Sequence, residues 1–174
     1  MILIKNGRLI DPKSGIDEKL DILADGEIIK KIGKNIGSDS ADEVIDAQGM
    51  VVSPGLIDVH VHFRDPGFTY KEDILSGAKS AARGGFTTVV CMANTKPPVD
   101  NKGILEYILK KSEGALVNII QTAAITVGLK GIELVDMEKL KEHGAAGFTD
   151  DGFAMMDSGI VLKAMRMAEK LNVP

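Results

Sequence analysis

The spacing of hydrophobic positions changes near residue 52. Before that point, short apolar runs at 1–4, 8–10, 20–24, 27–32 and 43–46 are separated by turn residues, which predicts a small antiparallel β module over residues 1–52. Asp25-Gly26 lies between two of these runs and predicts a hairpin, because both positions of such a turn favour a positive φ.

From residue 53 onwards, strand-like runs alternate with helical patterns. Strands are predicted at 56–63, 86–91, 118–125 and 145–149, and helices at 73–83, 102–112, 136–143 and 158–171. Four strand–helix units in succession predict a parallel sheet with right-handed crossovers, as in a doubly wound sheet or a (β/α)8 barrel. No Gly-x-Gly-x-x-Gly sequence follows a strand, so a dinucleotide-binding fold loses its main support. A complete barrel needs about 250 residues, so residues 53–174 would form the first half of one.

The first of these strands carries the clearest candidate chemistry. His60 and His62 are two residues apart, so both rings project from one face of the strand, and Asp58 lies on that face one pleat earlier. Imidazole is a common ligand of zinc, copper, iron and nickel. The pattern favours a metal site over the alternative, in which one histidine is a satisfied core residue and the other an incidental surface residue.

Polar side chains gather where the four predicted strands end. Arg64 follows the first strand, Asn94 and Thr95 the second, Thr126 the third, and Asp150 and Asp151 the fourth. This is the face on which α/β barrels carry their active sites, so agreement across four units predicts an enzyme site there.

Composition excludes several other classes of function. The chain has 174 residues, a formal charge of −4, two Tyr, five Phe and no Trp, so neither a basic surface for nucleic acid nor an aromatic stacking platform is expected. No apolar run approaches the roughly 20 residues that span a bilayer, and the N-terminus does not resemble a signal peptide, so no membrane partner is expected. Cys91 is the only cysteine, which favours a reducing, cytoplasmic setting.

Three segments resemble those of the dihydroorotases, within the cyclic amidohydrolases. They are Gly-Leu-Ile-Asp-Val-His-Val-His-Phe-Arg-Asp-Pro-Gly at 55–67, Gly-Gly-Phe-Thr-Thr-Val at 84–89 with Met-Ala-Asn-Thr at 92–95, and Ala-Gly-Phe-Thr-Asp-Asp-Gly at 146–152. They occur in family order along the whole chain. The chain is similar to the bacterial and archaeal class in which a fourth-strand carboxylate replaces a carboxylated lysine, and no lysine occurs between Ala145 and Asp157.

The resemblance implies a role for each candidate residue. His60, His62 and Asp151 would bind Zn²⁺, with Asp151 the catalytic carboxylate at the metal and Asp150 a supporting residue of the loop. Arg64 and Asn94 would bind the carboxylate of a small-molecule substrate. The implied reaction is the reversible, zinc-dependent cyclisation of N-carbamoyl-L-aspartate to L-dihydroorotate in pyrimidine biosynthesis, and the implied partners are a second copy of the protein or an aspartate carbamoyltransferase.

The family's other metal-binding histidines and its proton-handling aspartate belong to later strands. We therefore expect this chain to be the N-terminal part of such an enzyme, inactive or insoluble when made alone, because a half barrel leaves sheet edges and an apolar inner face exposed.

The sequence is also compatible with three other functions. An allantoinase or dihydropyrimidinase is disfavoured by Arg64, because those substrates lack the carboxylate that this residue would bind. A non-catalytic dihydroorotase-like partner of a carbamoyltransferase is disfavoured, because such proteins are expected to lose metal ligands and this chain keeps every one that falls within its span. A metal-binding or scaffold fragment is the third alternative.

Individual residues also have simpler interpretations. Arg64 could pair with Asp65 in a turn, and Asn94 could be a turn former ahead of 96–98. His143 is predicted to end a helix, and Cys91 to be a small buried strand residue.

Overall fold

The computed structural model describes every residue from Met1 to Pro174 and divides into two units, with the boundary between Pro54 and Gly55. The first unit, Met1–Pro54, contains seven short strands. They are β1 (Ile2–Lys5), β2 (Arg8–Asp11), β3 (Ile16–Lys19), β4 (Asp21–Asp25), β5 (Ile28–Gly33), β6 (Glu43–Asp46) and β7 (Val51–Val52). β5-β4-β1-β6 form one sheet and β3-β2-β7 another.

The prediction of a purely antiparallel module is wrong. β1–β4, β4–β5 and β2–β3 are antiparallel, but β6 pairs with β1 and β7 with β2 in parallel. β6 lies at the opposite edge of its sheet from β5, so the chain crosses over between them and enters β6 in the direction of β1. β3 and β7 were not predicted, because one is mostly charged and the other has only two residues.

The predicted hairpin is present, with its turn displaced by one residue. Asp25 pairs with Ile28, so Asp25 ends β4 and the two-residue loop is Gly26-Glu27. Only Gly26 has a positive φ, at 57°. A glycine at the first central position is the residue that such a turn requires.

The second unit, Gly55–Pro174, alternates strands and helices as predicted. Its elements are β8 (Leu56–Val61), α1 (Ile74–Arg83), β9 (Phe86–Cys91), α2 (Lys102–Lys111), β10 (Asn118–Gln121), a 3₁₀ turn (Val127–Leu129), α3 (Met137–Glu142) and α4 (Ser158–Leu171). β8, β9 and β10 form a parallel sheet in the order β10-β9-β8.

Polar caps set the boundaries of the helices. Asp73 accepts hydrogen bonds from the N–H groups of Leu75 and Ser76 and, like the other N-cap residues, lies just outside its helix. α1 ends at Gly84, and Gly85 follows with a φ of 82°, a conformation that favours glycine. His143 is the C-cap of α3, where its Nδ1 lies 2.7 Å from the carbonyl oxygen of Lys139.

Two predicted strands are shorter than expected, and the segment 145–149 is not a strand. β8 ends at Val61 and β10 at Gln121. The segment 145–149 follows the expected path, because Phe148 forms a parallel bridge with Ala123. Backbone hydrogen bonds continue past β10, because the N–H of Thr122 donates to the carbonyl oxygen of Cys91 and the N–H of Thr149 to that of Ala123. The side chains of Gln121 and Thr122 add hydrogen bonds to the same Cys91 carbonyl oxygen.

The core of this unit lies among the sheet and the helices. Its fully buried members include Ile74 of α1, Leu105 and Ile108 of α2, and Leu140 of α3. Cys91 is 4% exposed and packs in a second cluster with Ala78, Val89 and Val117, as predicted for a small buried strand residue. The carboxyl ends of β8 and β9 carry the candidate site. No helix has the length and apolar character needed to cross a membrane.

Candidate metal centre

His60, His62 and Asp151 converge at the carboxyl end of the parallel sheet. Nε2 of His60 lies 3.2 Å from Oδ1 of Asp151, and Nε2 of His62 lies 3.5 Å from Oδ2. The two imidazole rings are 5.2 Å apart at their centroids. One ligand atom from each residue lies within 4.8 Å of the other two. The three residues therefore bring two imidazole nitrogens and a carboxylate oxygen close enough together to bind one metal ion.

The separations within this cluster fit a divalent metal ion. Zinc binds imidazole nitrogen and carboxylate oxygen at about 2.0–2.2 Å in a tetrahedral arrangement, so neighbouring ligand atoms lie about 3.3 Å apart. The two measured nitrogen–oxygen separations, 3.2 and 3.5 Å, are close to that edge length. Two imidazoles and one carboxylate also match the ligand types that catalytic zinc sites use, with a position left for water or substrate.

Asn94 joins two members of the cluster. Its Nδ2 lies 3.0 Å from Oδ2 of Asp151, and its Oδ1 lies 2.9 Å from Nδ1 of His62. Because the amide nitrogen must face the carboxylate, the amide oxygen faces His62 and accepts its Nδ1–H. The other ring nitrogen, Nε2, is then the one that faces Asp151 and can bind a metal.

Asp150 fixes the loop that carries Asp151. It is 6% exposed, and its Oδ1 accepts hydrogen bonds from the backbone N–H groups of Ile125 (2.7 Å) and Thr126 (3.1 Å). The hydroxyl of Thr126, which is fully buried, donates to the other carboxylate oxygen. These bonds attach the fourth strand–helix unit to the end of the third, which supports the predicted role of Asp150 as a loop residue. The sequence marked Thr126 only as a polar residue after a strand, and nothing in it indicated the contact with Asp150.

Asp58 lies outside the cluster, although it is on the same strand. Its Oδ1 accepts a hydrogen bond from the backbone N–H of His60 at 3.0 Å. The pairing of β8 with β9 also shifts register between Asp58 and Val61. The carboxylate is thus used locally, and the third donor comes from residue 151 instead.

Arg64 has no partner within the chain. It is partly buried, its φ is 54°, and its guanidinium makes no hydrogen bond or ion pair. The interpretation in which Arg64 pairs with Asp65 is wrong, because the Asp65 carboxylate is bound by Tyr107 and Lys111 of α2. Those two residues had no signal in the sequence, since they lie more than 40 positions away from Asp65.

Most of the chain matches one known protein family. Residues 49–173 match the family described as dihydro-orotase-like. The chain belongs to the dihydroorotase-like family. It is 62% identical to a dihydroorotase of Clostridioides difficile (strain 630), over 100% of this chain and 41% of that protein. It is 51% identical to a dihydroorotase of Aquifex aeolicus (strain VF5), over 99% of this chain and 41% of that protein. The chain therefore spans about two fifths of the length of these curated relatives.

Several solved structures similar to this family member are hydantoinases or dihydropyrimidinases. The L-hydantoinase (dihydropyrimidinase) from Arthrobacter aurescens superposes with a TM-score of 0.82 at 25% identity, over 99% of this chain and 39% of that one. The D-hydantoinase (dihydropyrimidinase) from Thermus sp. gives a TM-score of 0.76 at 31% identity, over 99% and 39% of the two chains. The predicted fold class, the N-terminal part of an amidohydrolase (β/α)8 barrel preceded by a β module, is confirmed, apart from the strand directions in that module.

Proposed function

We propose that this chain is the N-terminal part of a zinc-dependent dihydroorotase, which interconverts N-carbamoyl-L-aspartate and L-dihydroorotate. The observation that carries the proposal is the convergence of His60, His62 and Asp151 in a chain of the dihydroorotase-like family. Each of the three comes from a segment that ends at the face where barrels of this kind carry their chemistry.

The protein's own residues have separable tasks in this proposal. His60, His62 and Asp151 would hold the metal, and Asn94 would keep Nε2 of His62 available by accepting the Nδ1–H. A zinc ion bound there would act as a Lewis acid on the ring carbonyl and would lower the pKa of water. Asp150 would keep the loop of Asp151 attached to Ile125 and Thr126.

Arg64 is proposed to bind the carboxylate of the substrate. A guanidinium presents two parallel donors to a carboxylate, and this one has no partner within the chain. Asn94 was predicted to share that task. Its amide already contacts His62 and Asp151, so a substrate contact would have to be made in addition to these or in exchange for them.

A hydantoinase or dihydropyrimidinase activity is the second candidate, because solved structures similar to this chain carry those names. Hydantoin and dihydrouracil have no ring carboxylate, so the unpaired Arg64 favours dihydroorotate. A panel of dihydroorotate, allantoin, dihydrouracil and hydantoin, offered to the full-length protein, separates the two candidates.

The experiment that tests the proposal uses the full-length protein that contains this chain. His60→Ala and His62→Ala are expected to lose both bound zinc and dihydroorotate hydrolysis. His143→Ala is the matched control, because that histidine lies at the end of α3 and its ring hydrogen-bonds the carbonyl oxygen of Lys139, away from the metal cluster. Full hydrolysis by the His60 and His62 variants, or none by the unmodified protein, would reject the proposal.

The proposal extends to setting and partners. The cytoplasm is the proposed compartment, because the chain has a single cysteine and so no disulfide of its own. Self-association or association with an aspartate carbamoyltransferase is checked by measuring the mass of the full-length protein in solution with and without the transferase.

A further inference from the structure

The carboxylate of Asp65 is buried directly beside Arg64 and is held by helix α2. The Asp65 side chain has no solvent-accessible surface, and Nζ of Lys111 lies 2.6 Å from its Oδ2. The hydroxyl of Tyr107 donates to Oδ1 at 3.0 Å, and Nζ of Lys111 lies 3.2 Å from that hydroxyl. Asp65, Tyr107 and Lys111, which we call the α2 anchor, therefore form a closed triangle of charged and polar groups.

The α2 anchor is one of two attachments of the loop that carries Arg64. The second attachment is to the loop after β9, where the N–H of Lys96 donates to the carbonyl oxygen of Pro66 at 3.0 Å. Gly67 packs on the same neighbour so closely that an added Cβ would lie 2.0 Å from the carbonyl oxygen of Lys96. Within the loop, the N–H of Phe68 donates to the carbonyl oxygen of Arg64 at 2.9 Å.

These contacts fix the backbone of Arg64 while its side chain has no partner. Arg64 has a φ of 54°, which is unusual for a residue with a side chain and persists only where surrounding contacts hold it. The next residue along, Asp65, supplies the ion pair and the hydrogen bond to α2. The close contact with the Asp65 carboxylate, 2.6 Å away, is the main reason why the pKa of Lys111 is raised above its ordinary value.

We propose that Tyr107 and Lys111 are positioning residues for Arg64: by binding Asp65, they set the place from which the guanidinium meets the substrate carboxylate. The inference rests on the proposed function, because it assumes that Arg64 binds the substrate. Neither residue of α2 has a role in holding the metal, since the donor set consists of His60, His62 and Asp151. The expected signature is therefore a loss of substrate binding with the metal site intact.

The test compares variants of the full-length enzyme in dihydroorotate hydrolysis. Tyr107→Phe removes the hydroxyl that donates to Asp65 and accepts from Lys111. The double variant Asp65→Asn with Lys111→Met removes the ion pair without leaving an unpaired buried charge. Both are expected to raise KM, by about tenfold to a hundredfold for the double variant, with kcat and zinc content little changed, because displacement of a binding group by about 1 Å has effects of that size. Lys111→Arg keeps a positive charge beside Asp65 and is expected to retain much of the substrate binding.

Lys102→Met provides the matched control, because Lys102 also lies on α2 and forms an ion pair, with Glu106 at 3.4 Å, but neither of these two side chains is buried. It is expected to leave KM unchanged. If Arg64→Met raises KM while the double variant and Tyr107→Phe do not, the positioning role is wrong and the proposed function stands. If the double variant loses zinc and kcat together, the α2 anchor supports the fold in general and the inference is also wrong. If Arg64→Met itself leaves KM unchanged, the assignment of Arg64 in the proposed function is what fails.

Discussion

His62 and Asn94 are joined by a hydrogen bond of 2.9 Å between Nδ1 of the ring and Oδ1 of the amide. The same amide donates to Oδ2 of Asp151 at 3.0 Å, so one neutral side chain orients two of the three candidate metal ligands. The three residues lie far apart in sequence and on three different segments. Asn94 is thus the residue that connects the ends of the first, second and fourth strand–helix units at the site.

Replacing Asn94 should weaken metal binding. In the full-length protein, Asn94→Ala removes the acceptor that keeps the hydrogen on Nδ1 of His62 and frees the Asp151 carboxylate. Zinc affinity, measured by competition with a chelator, is expected to fall about tenfold to a hundredfold, as for other partners of metal-bound histidines. Asn118→Ala is the control, because the side chain of that exposed asparagine hydrogen-bonds Thr88 and no member of the metal cluster. A raised KM with unchanged zinc affinity would instead restrict Asn94 to substrate binding.

Neutralising Asp150 should loosen the loop that carries Asp151. The buried carboxylate accepts three hydrogen bonds from Ile125 and Thr126, and an amide in its place cannot accept all three. Asp150→Asn is therefore expected to lower the free energy of unfolding by about 1–3 kcal/mol, the usual cost of unsatisfied buried groups. Urea denaturation followed by circular dichroism measures the change.

The control for this variant makes the same chemical change at an exposed site. Asp157 is the N-cap of α4 and accepts from the N–H groups of Gly159 and Ile160. Asparagine caps helices about as well as aspartate, so Asp157→Asn is expected to cost less than about 0.5 kcal/mol. Equal losses for the two variants would argue against a special role for Asp150.

A methyl group at Gly67 should displace the loop that carries Arg64. Gly67 has a φ of 94°, and an added Cβ would lie 2.0 Å from the carbonyl oxygen of Lys96, so the backbone must move. Gly85 has a φ of 82° but open space around it. Gly85→Ala therefore isolates the conformational cost, about 1 kcal/mol, and Gly67→Ala is expected to cost clearly more in the same denaturation experiment. Similar decreases in the free energy of unfolding for the two variants would show that the loop at Gly67 can move at little cost.

Elements with a local signal were predictable from the sequence. Alternating apolar runs, cap residues such as Asp73 and glycines such as Gly85 placed the helices of the second unit and three of its strands within a few residues. The strand directions in the first unit were not predictable, because the parallel pairing of β6 depends on where a long connection returns the chain.

The same division holds for the site. His60 and His62 stood out because their spacing puts them on one face of a strand, and Asp151 followed from the resemblance to a known family. The α2 anchor could not be predicted, since Tyr107 lies 42 residues from Asp65 and an amphipathic helix normally places tyrosine and lysine at its surface. The contacts of Asn94 with His62 and Asp151 are equally non-local, at 32 and 57 residues.

Cys91 should be almost unreactive in the folded protein. Burial raises the pKa of its thiol from the ordinary 9.0 to about 12, a difference of about three units, so at pH 8 the thiolate fraction is about a thousandfold lower than in an unfolded chain. Labelling with iodoacetamide, mapped to the peptide that contains Cys91, is expected to be slower in native protein than in urea by at least that factor. Labelling rates within tenfold of each other would show that the thiol is accessible as an anion.

The raised pKa of the Cys91 thiol also makes the stability of the protein depend on pH. Because the folded state favours the neutral thiol, the contribution is fully present below pH 9 and is lost as the pH rises from about 9 towards about 12. In the unsubstituted protein, the free energy of unfolding is therefore expected to decline between about pH 9 and about pH 12. Cys91→Ala removes this titrating group, so its free energy of unfolding should decline less steeply; the slope that remains comes from groups such as Lys111, whose pKa is also raised. Parallel curves for the two proteins would mean that the Cys91 thiol ionises as easily in the folded state as in the unfolded state.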